Sequence, residues 1–220
     1  MNTARELLLK AAAALEAAER QEAALNAELL LEHAAAKPHL HFRVNPDETV
    51  TLEVLKKFNS FIKKRAAGTP LAYITGTQQF RNLQLCVTPA VLIPRPETEE
   101  LVALALTALD KTGKKSPVLL DLCTGSGCAA CAVAQERPDC RVIASDISSA
   151  ALRVARENAK KLGLPERITF KLSDLFKDLK GRADCIVSNP PYVPAQDLPK
   201  LEKELSFEPA LALDGGNTNY

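Results

Sequence analysis

The chain has 220 residues, 46% hydrophobic and 25% charged, enough for one large domain or for a small domain beside a medium one. Lys and Arg number 28 against 27 Asp and Glu, and the balance holds on both sides of residue 75, so charge alone advertises neither nucleic-acid nor anionic-membrane binding. With 9 Gly and 14 Pro the chain is neither collagenous nor disordered, and no stretch approaches the roughly 20 apolar residues of a membrane-crossing helix.

The opening MNTARELLLKAAAALEAAERQ lacks the n-region, h-region and cleavage site of a signal peptide, and it is expected to be a mature cytoplasmic N-terminus. Leu7, Leu8, Ala11, Ala14, Leu15 and Ala18 recur at helical spacing. Leu25, Leu29, Leu30 and His33 predict the inner face of a second helix, and a third follows over about 51–66 after the interruptions at Pro38 and Pro46. Residues 1–70 therefore predict a small helical bundle, and packing or partner docking is its expected role. Residues 71–96 alternate and are rich in β-formers, which predicts a hairpin linker turning at Asn82. Pro96 suits a helix start, and Glu97, Glu99 and Glu100 suit the positive end of its dipole.

From residue 97 onward a βα alternation begins. Strands are predicted at 118–122, 141–146, 168–174 and 183–189, with helices near 127–136 and after Ser148, the latter with Leu152, Ala155, Ala159 and Leu162 on one face. This pattern predicts an α/β fold with a parallel, doubly wound sheet, whose ligands bind beyond the carboxyl ends of the strands. The six cysteines lie in apolar segments and suit reduced, buried thiols. Cys128 and Cys131 form a single C-x-x-C, and all three histidines lie in the N-terminal module, so helix–sheet packing is the expected role and no metal is expected.

The strand ends carry the chemistry. After the first strand come Cys123, Thr124, Gly125, Ser126 and Gly127, a tight turn that lets backbone approach a ligand but departs from the dinucleotide fingerprint at Ala130. Asp146 closes the second strand about 20 residues later, where a carboxylate can accept from both hydroxyls of a ribose. Asp174 closes the third and could accept from an exocyclic amine. The fourth ends in Asn189-Pro190-Pro191-Tyr192. An amide oxygen, a carbonyl fixed by the following proline and an aromatic face together suit a planar NH2 group.

The glycine turn, the strand-end acids and Asn-Pro-Pro-Tyr resemble the class I, Rossmann-like methyltransferases that act on planar amide or base nitrogens. Phe80, Val87-Thr88-Pro89 and Val91-Leu92-Ile93-Pro94-Arg95-Pro96-Glu97-Thr98-Glu99 are in addition similar to the signature of the HemK/PrmC protein-glutamine methyltransferases. The resemblance spans essentially the whole chain. It implies a helical N-terminal domain on a methyltransferase sheet, S-adenosyl-L-methionine as cofactor, and the Gln of the Gly-Gly-Gln loop of peptide chain release factors as substrate. It also implies that the cofactor lies on Cys123–Gly127, with Asp146 on the ribose and Asp174 and Leu175 at the adenine. The resemblance further implies that Asn189 borders the cofactor. Leu175 stands where relatives can carry a large aromatic, so it offers apolar contact only.

An amide nitrogen is a poor nucleophile because its lone pair is shared with the carbonyl. The expected catalytic pair is Asn189 Oδ1 and the Pro190 carbonyl, accepting the two amide hydrogens, with Pro191 and Tyr192 completing the substrate slot. A monomeric cytoplasmic enzyme is expected, with no direct nucleic-acid or membrane partner. Two other readings stay open. Asn-Pro-Pro-Tyr also suits the exocyclic amine of a flipped adenine or cytosine, although the Lys56, Lys57, Lys63, Lys64 and Arg65 cluster reads as a solvated helix face. The resembled fold has seven strands and four are legible, so residues 97–220 are expected to be a C-terminally incomplete domain, and a truncated, non-catalytic binding fragment is the other open reading.

Overall fold

The computed structural model describes residues 3–216, and the chain divides into two units after Thr75. The first unit is helical: α1 (Ala4–Ala17), α2 (Ala23–Ala35), α3 (His41–Val44), α4 (Leu52–Ala66) and α5 (Leu71–Thr75). Thr3 caps α1 in a reciprocal capping box with Glu6, and the Thr51 hydroxyl caps α4 by accepting from the Val54 N–H. Its core joins Leu7, Leu15, Leu30, Leu31, Phe42 and Phe58. The inner face of α2 differs from expectation. Leu25 and Leu29 are half-buried and His33 is exposed, while Ala23, Ala27, Leu30, Leu31 and Ala34 are buried. Small alanines let neighbouring helices come close, and Glu28 and Glu32 share that burial with Arg43 and His39 as partners. Ala14 on α1 is likewise exposed. Residues 71–75, expected in the hairpin, instead form α5.

The second unit opens with an antiparallel hairpin of β1 (Thr77–Phe80) and β2 (Leu83–Cys86), in which Phe80 pairs with Leu83. The positive φ of 50° falls on Arg81 rather than on the expected turn residue Asn82. The Arg81 N–H donates to Glu99 at 2.9 Å and its guanidinium grips both Glu136 oxygens, which holds the strained turn. Then follow α6 (Pro96–Lys111), β3 (Val118–Leu122), α7 (Cys128–Glu136), β4 (Arg141–Asp146), α8 (Ser149–Lys161), β5 (Ile168–Leu172), β6 (Cys185–Ser188) and a short α9 (Ala210–Leu213). Strands β3 to β6 form one parallel sheet in the order β5-β4-β3-β6, so β4 and β6 flank β3 on opposite sides.

The core of this unit lies on one sheet face, where Leu119, Val142, Ala144 and Val187 meet α6, α7 and the hairpin. Cys128 and Cys131 are buried there, and burial pushes both thiols up to about 12. Strands β3 and β4 have their expected bounds. The third strand stops at Leu172, short of the expected residue 174, because pairing with β4 ends at Asp146. The fourth spans Cys185–Ser188 rather than 183–189. No helix among the described residues is long and apolar enough to cross a membrane.

Candidate active site

The loops after β3, β4, β5 and β6 converge on one cavity of about 550 Å³ at the carboxyl ends of the strands. The turn after β3 is built from left-handed residues: Cys123 (φ 57°), Gly125 (φ 57°) and Gly127 (φ 78°). A Cβ on Gly125 would meet nothing within 4 Å, whereas one on Gly127 would sit 3.0 Å from the Ala155 Cβ of α8. The first glycine thus leaves open space beside the turn, and the second permits α7 and α8 to approach. Cys123 adopts the same conformation without being glycine, and burial raises its thiol pKa.

Asp146 is fused to this turn. Its Oδ2 accepts from the Gly125 N–H at 2.9 Å and its Oδ1 from the Ser148 N–H at 2.8 Å. The carboxylate is therefore immobilised, with remaining lone pairs available to a ligand in the cavity. Asp174 lies two residues past β5 and pairs with Lys177. Leu175 follows it in the left-handed region (φ 48°) and is half-exposed to the cavity.

Asn189 and Pro190 follow β6 and line the same cavity, and Pro191 joins them. Asn189 is half-buried, and its Nδ2 donates to Thr98 Oγ1 at 3.2 Å. The segment after α9 packs behind this loop. Gly215 N–H donates to the Val193 carbonyl at 2.8 Å, and a Cβ on Gly215 would fall 2.9 Å from the Tyr192 Cα. Before α6, the strap of residues 91–95 is anchored by Glu208, buried to 6% exposure, which accepts from the Ile93 N–H at 3.0 Å and pairs with Arg95.

Of the residues expected at the site, Cys123, Thr124, Gly125, Ser126, Asp146, Asp174, Leu175, Asn189, Pro190 and Pro191 border the one cavity. Gly127 lies outside the lining, packed on α8, and Tyr192 is 74% exposed and also outside it. Three features went unread. Asp121 is buried, and its Oδ2 accepts from Thr124 Oγ1 at 2.6 Å and from the Ala130 N–H at 3.2 Å. An acid inside the apolar run VLLDL was the signal for it. Asn158 is 1% exposed on the inner face of α8. It exchanges hydrogen bonds with the Cys86 N–H (2.7 Å) and carbonyl (3.0 Å) and donates to the Ser126 carbonyl at 2.9 Å. A lone asparagine between Ala155 and Ala159 marked that one. The contacts of Thr98, Asp214 and Gly215 with the loop after β6 left no sequence signal, because they join positions distant in the chain.

The residues present fit an adenosyl cofactor. A ribose needs a fixed paired acceptor, and Asp146 provides it; a ligand backbone-close to the turn needs space, and Gly125 leaves it. Comparison with known proteins follows this division. Residues 6–76 match the model of the PrmC N-terminal domain and residues 99–210 that of the methyltransferase small domain. A release factor glutamine methyltransferase of Moorella thermoacetica is 43% identical, over 97% of this chain and 75% of its own length. Proteins of the same description from Burkholderia pseudomallei (44% identical, 88% of this chain, 70% of theirs) and Chlorobaculum tepidum (41%, 87% and 68%) are similar. Fold, cavity and relatives agree: the chain belongs to the release factor glutamine methyltransferase family.

Proposed function

We propose that this chain methylates the side-chain amide nitrogen of the Gln in the Gly-Gly-Gln motif of peptide chain release factors. The observation that carries the reading is the placement of Asn189 and Pro190 on the cavity that also holds the glycine turn and Asp146. When bound, S-adenosyl-L-methionine supplies an electrophilic methyl group on a sulfonium. Asp146 holds the ribose hydroxyls, Asp174 and Leu175 border the adenine, and the turn of residues 123–127 offers backbone to the rest of the cofactor.

The protein's part in the transfer is placement. Asn189 Oδ1 and the Pro190 carbonyl accept the two hydrogens of the substrate amide, which fixes the nitrogen and stabilises positive charge growing on it. Orientation of this kind lowers a barrier by about 7–11 kcal/mol in favourable cases. Tyr192, next to Pro191 and exposed, forms the outer wall met by the arriving loop. The helical unit docks the release factor, and the enzyme works in the cytoplasm as a monomer without direct nucleic-acid contact.

Mass spectrometry of a release-factor tryptic peptide after incubation with labelled cofactor tests the reading. The wild-type chain should add one methyl group to the Gly-Gly-Gln glutamine and none to tRNA or duplex DNA. Asn189→Ala should lower kcat by about 100-fold or more, the scale on which removal of one oriented group acts. Full activity in that variant would remove Asn189 from the mechanism.

A further inference from the structure

A carboxamide is nearly symmetric in shape, yet its two ends are opposite in chemistry. A half-turn about the last torsion of Asn189 would replace the acceptor with a donor. A slot meant to receive an NH2 group would then present N–H against N–H. The carboxamide must therefore be held against free rotation, and the fold supplies a candidate for the hold. Thr98 stands in the first turn of α6 with 6% exposure, and its Oγ1 accepts from Asn189 Nδ2 at 3.2 Å. Among the described residues Asn189 Oδ1 takes no protein hydrogen bond, so it is left for an incoming donor.

We infer that Thr98 is a positioning residue, whose hydroxyl bonds one end of the Asn189 carboxamide and so holds its plane with Oδ1 toward the substrate; this rests on the proposed reaction. The bond spans 91 positions of sequence, and a threonine in a first helical turn more commonly bonds its own backbone. Its place is secured from behind. The Thr98 N–H donates to the Arg95 carbonyl at 3.0 Å, and Arg95 and the Ile93 N–H are both held by the buried Glu208 carboxylate. A run of fixed contacts thus leads from Glu208 through the strap to Thr98 and ends on the amide that grips the substrate.

Thr98→Val keeps the shape and removes the hydroxyl, whereas Thr98→Ser keeps the hydroxyl. Thr98→Val should lower kcat by about 10- to 100-fold with the KM for S-adenosyl-L-methionine unchanged, and Thr98→Ser should recover most of that loss. Thermal melting of both variants identifies any general loss of fold. A second readout does not need activity. In nitrogen-15 NMR spectra the Asn189 side-chain amide protons should exchange slowly in the wild type and in Thr98→Ser, and faster in Thr98→Val. Wild-type kcat in a normally melting Thr98→Val, or equal losses in Val and Ser, would overturn the inference. If the wild type itself transfers no methyl group, the proposed function fails, and the amide exchange still decides whether Thr98 holds Asn189.

Discussion

Burial of the Asp121 carboxyl beside the cavity pushes its pKa up to about 7; hydrogen bonds from Thr124 and Ala130 oppose the rise and the Asp146 carboxylate adds to it. Between the ordinary carboxylate range and that value, the folded chain binds a proton that the unfolded chain has released. The contribution of this group to stability is therefore lost as pH rises through the window and is constant above it. Each unit of the window corresponds to about 1.4 kcal/mol. Asp121→Asn should abolish this slope. Urea midpoints at about pH 5 and about pH 8 should show the wild type losing stability relative to the variant at the higher pH. Equal differences at both values would mean that the carboxyl is ionised throughout. The strand-end residues were legible one by one because each sits where a βα turn must begin. The hydrogen-bond partners that give them direction were not.

At the scale of elements, α8 shows how a polar side chain on an apolar face can join three segments. Asn158 links β2 to the turn after β3 through the Cys86 backbone and the Ser126 carbonyl. Asn158→Ala would leave the buried Ser126 carbonyl without this partner, at about 1–3 kcal/mol, and would cost less at the half-buried N–H and carbonyl of Cys86. A loss of roughly 2–3 kcal/mol in denaturant unfolding is expected. Weaker S-adenosyl-L-methionine binding in calorimetry should accompany it, since the turn loses its tether. The bounds of β3 and β4 could be read from sequence because buried parallel strands are continuous apolar runs. The buried stripe of α2 could not, since alanines replace leucines along it and two glutamates are buried beside them. Arg81 rather than Asn82 takes the left-handed place in the turn, where its backbone N–H meets the Glu99 carboxylate and its guanidinium that of Glu136.

At the scale of the whole molecule there are two units with separate cores, one around Phe58 and Leu15 and one around Leu119 and Val142. Phe58 is 1% exposed, so Phe58→Ala should destabilise the helical unit by about 3–5 kcal/mol, through lost transfer energy and the cavity left behind. Protease cleavage within residues 3–75, followed by mass spectrometry, should accelerate accordingly. The alternation of helix-period and strand-period segments made both units legible. The backing of the loop at residues 189–192 was not, because it depends on residues 93, 98, 208 and 215 meeting that loop and one another across long stretches of chain.

That last arrangement bears on biosynthesis. The turn at residues 123–127 and Asp146 make their mutual hydrogen bond within a short stretch, so both leave the ribosome early and almost together. The loop at residues 189–192 has its backing in Gly215 and the anchor of its strap in Glu208, which are translated only afterwards. A nascent chain can thus assemble its nucleoside cradle before the loop at residues 189–192 and its strap gain their anchors from residues 208–215.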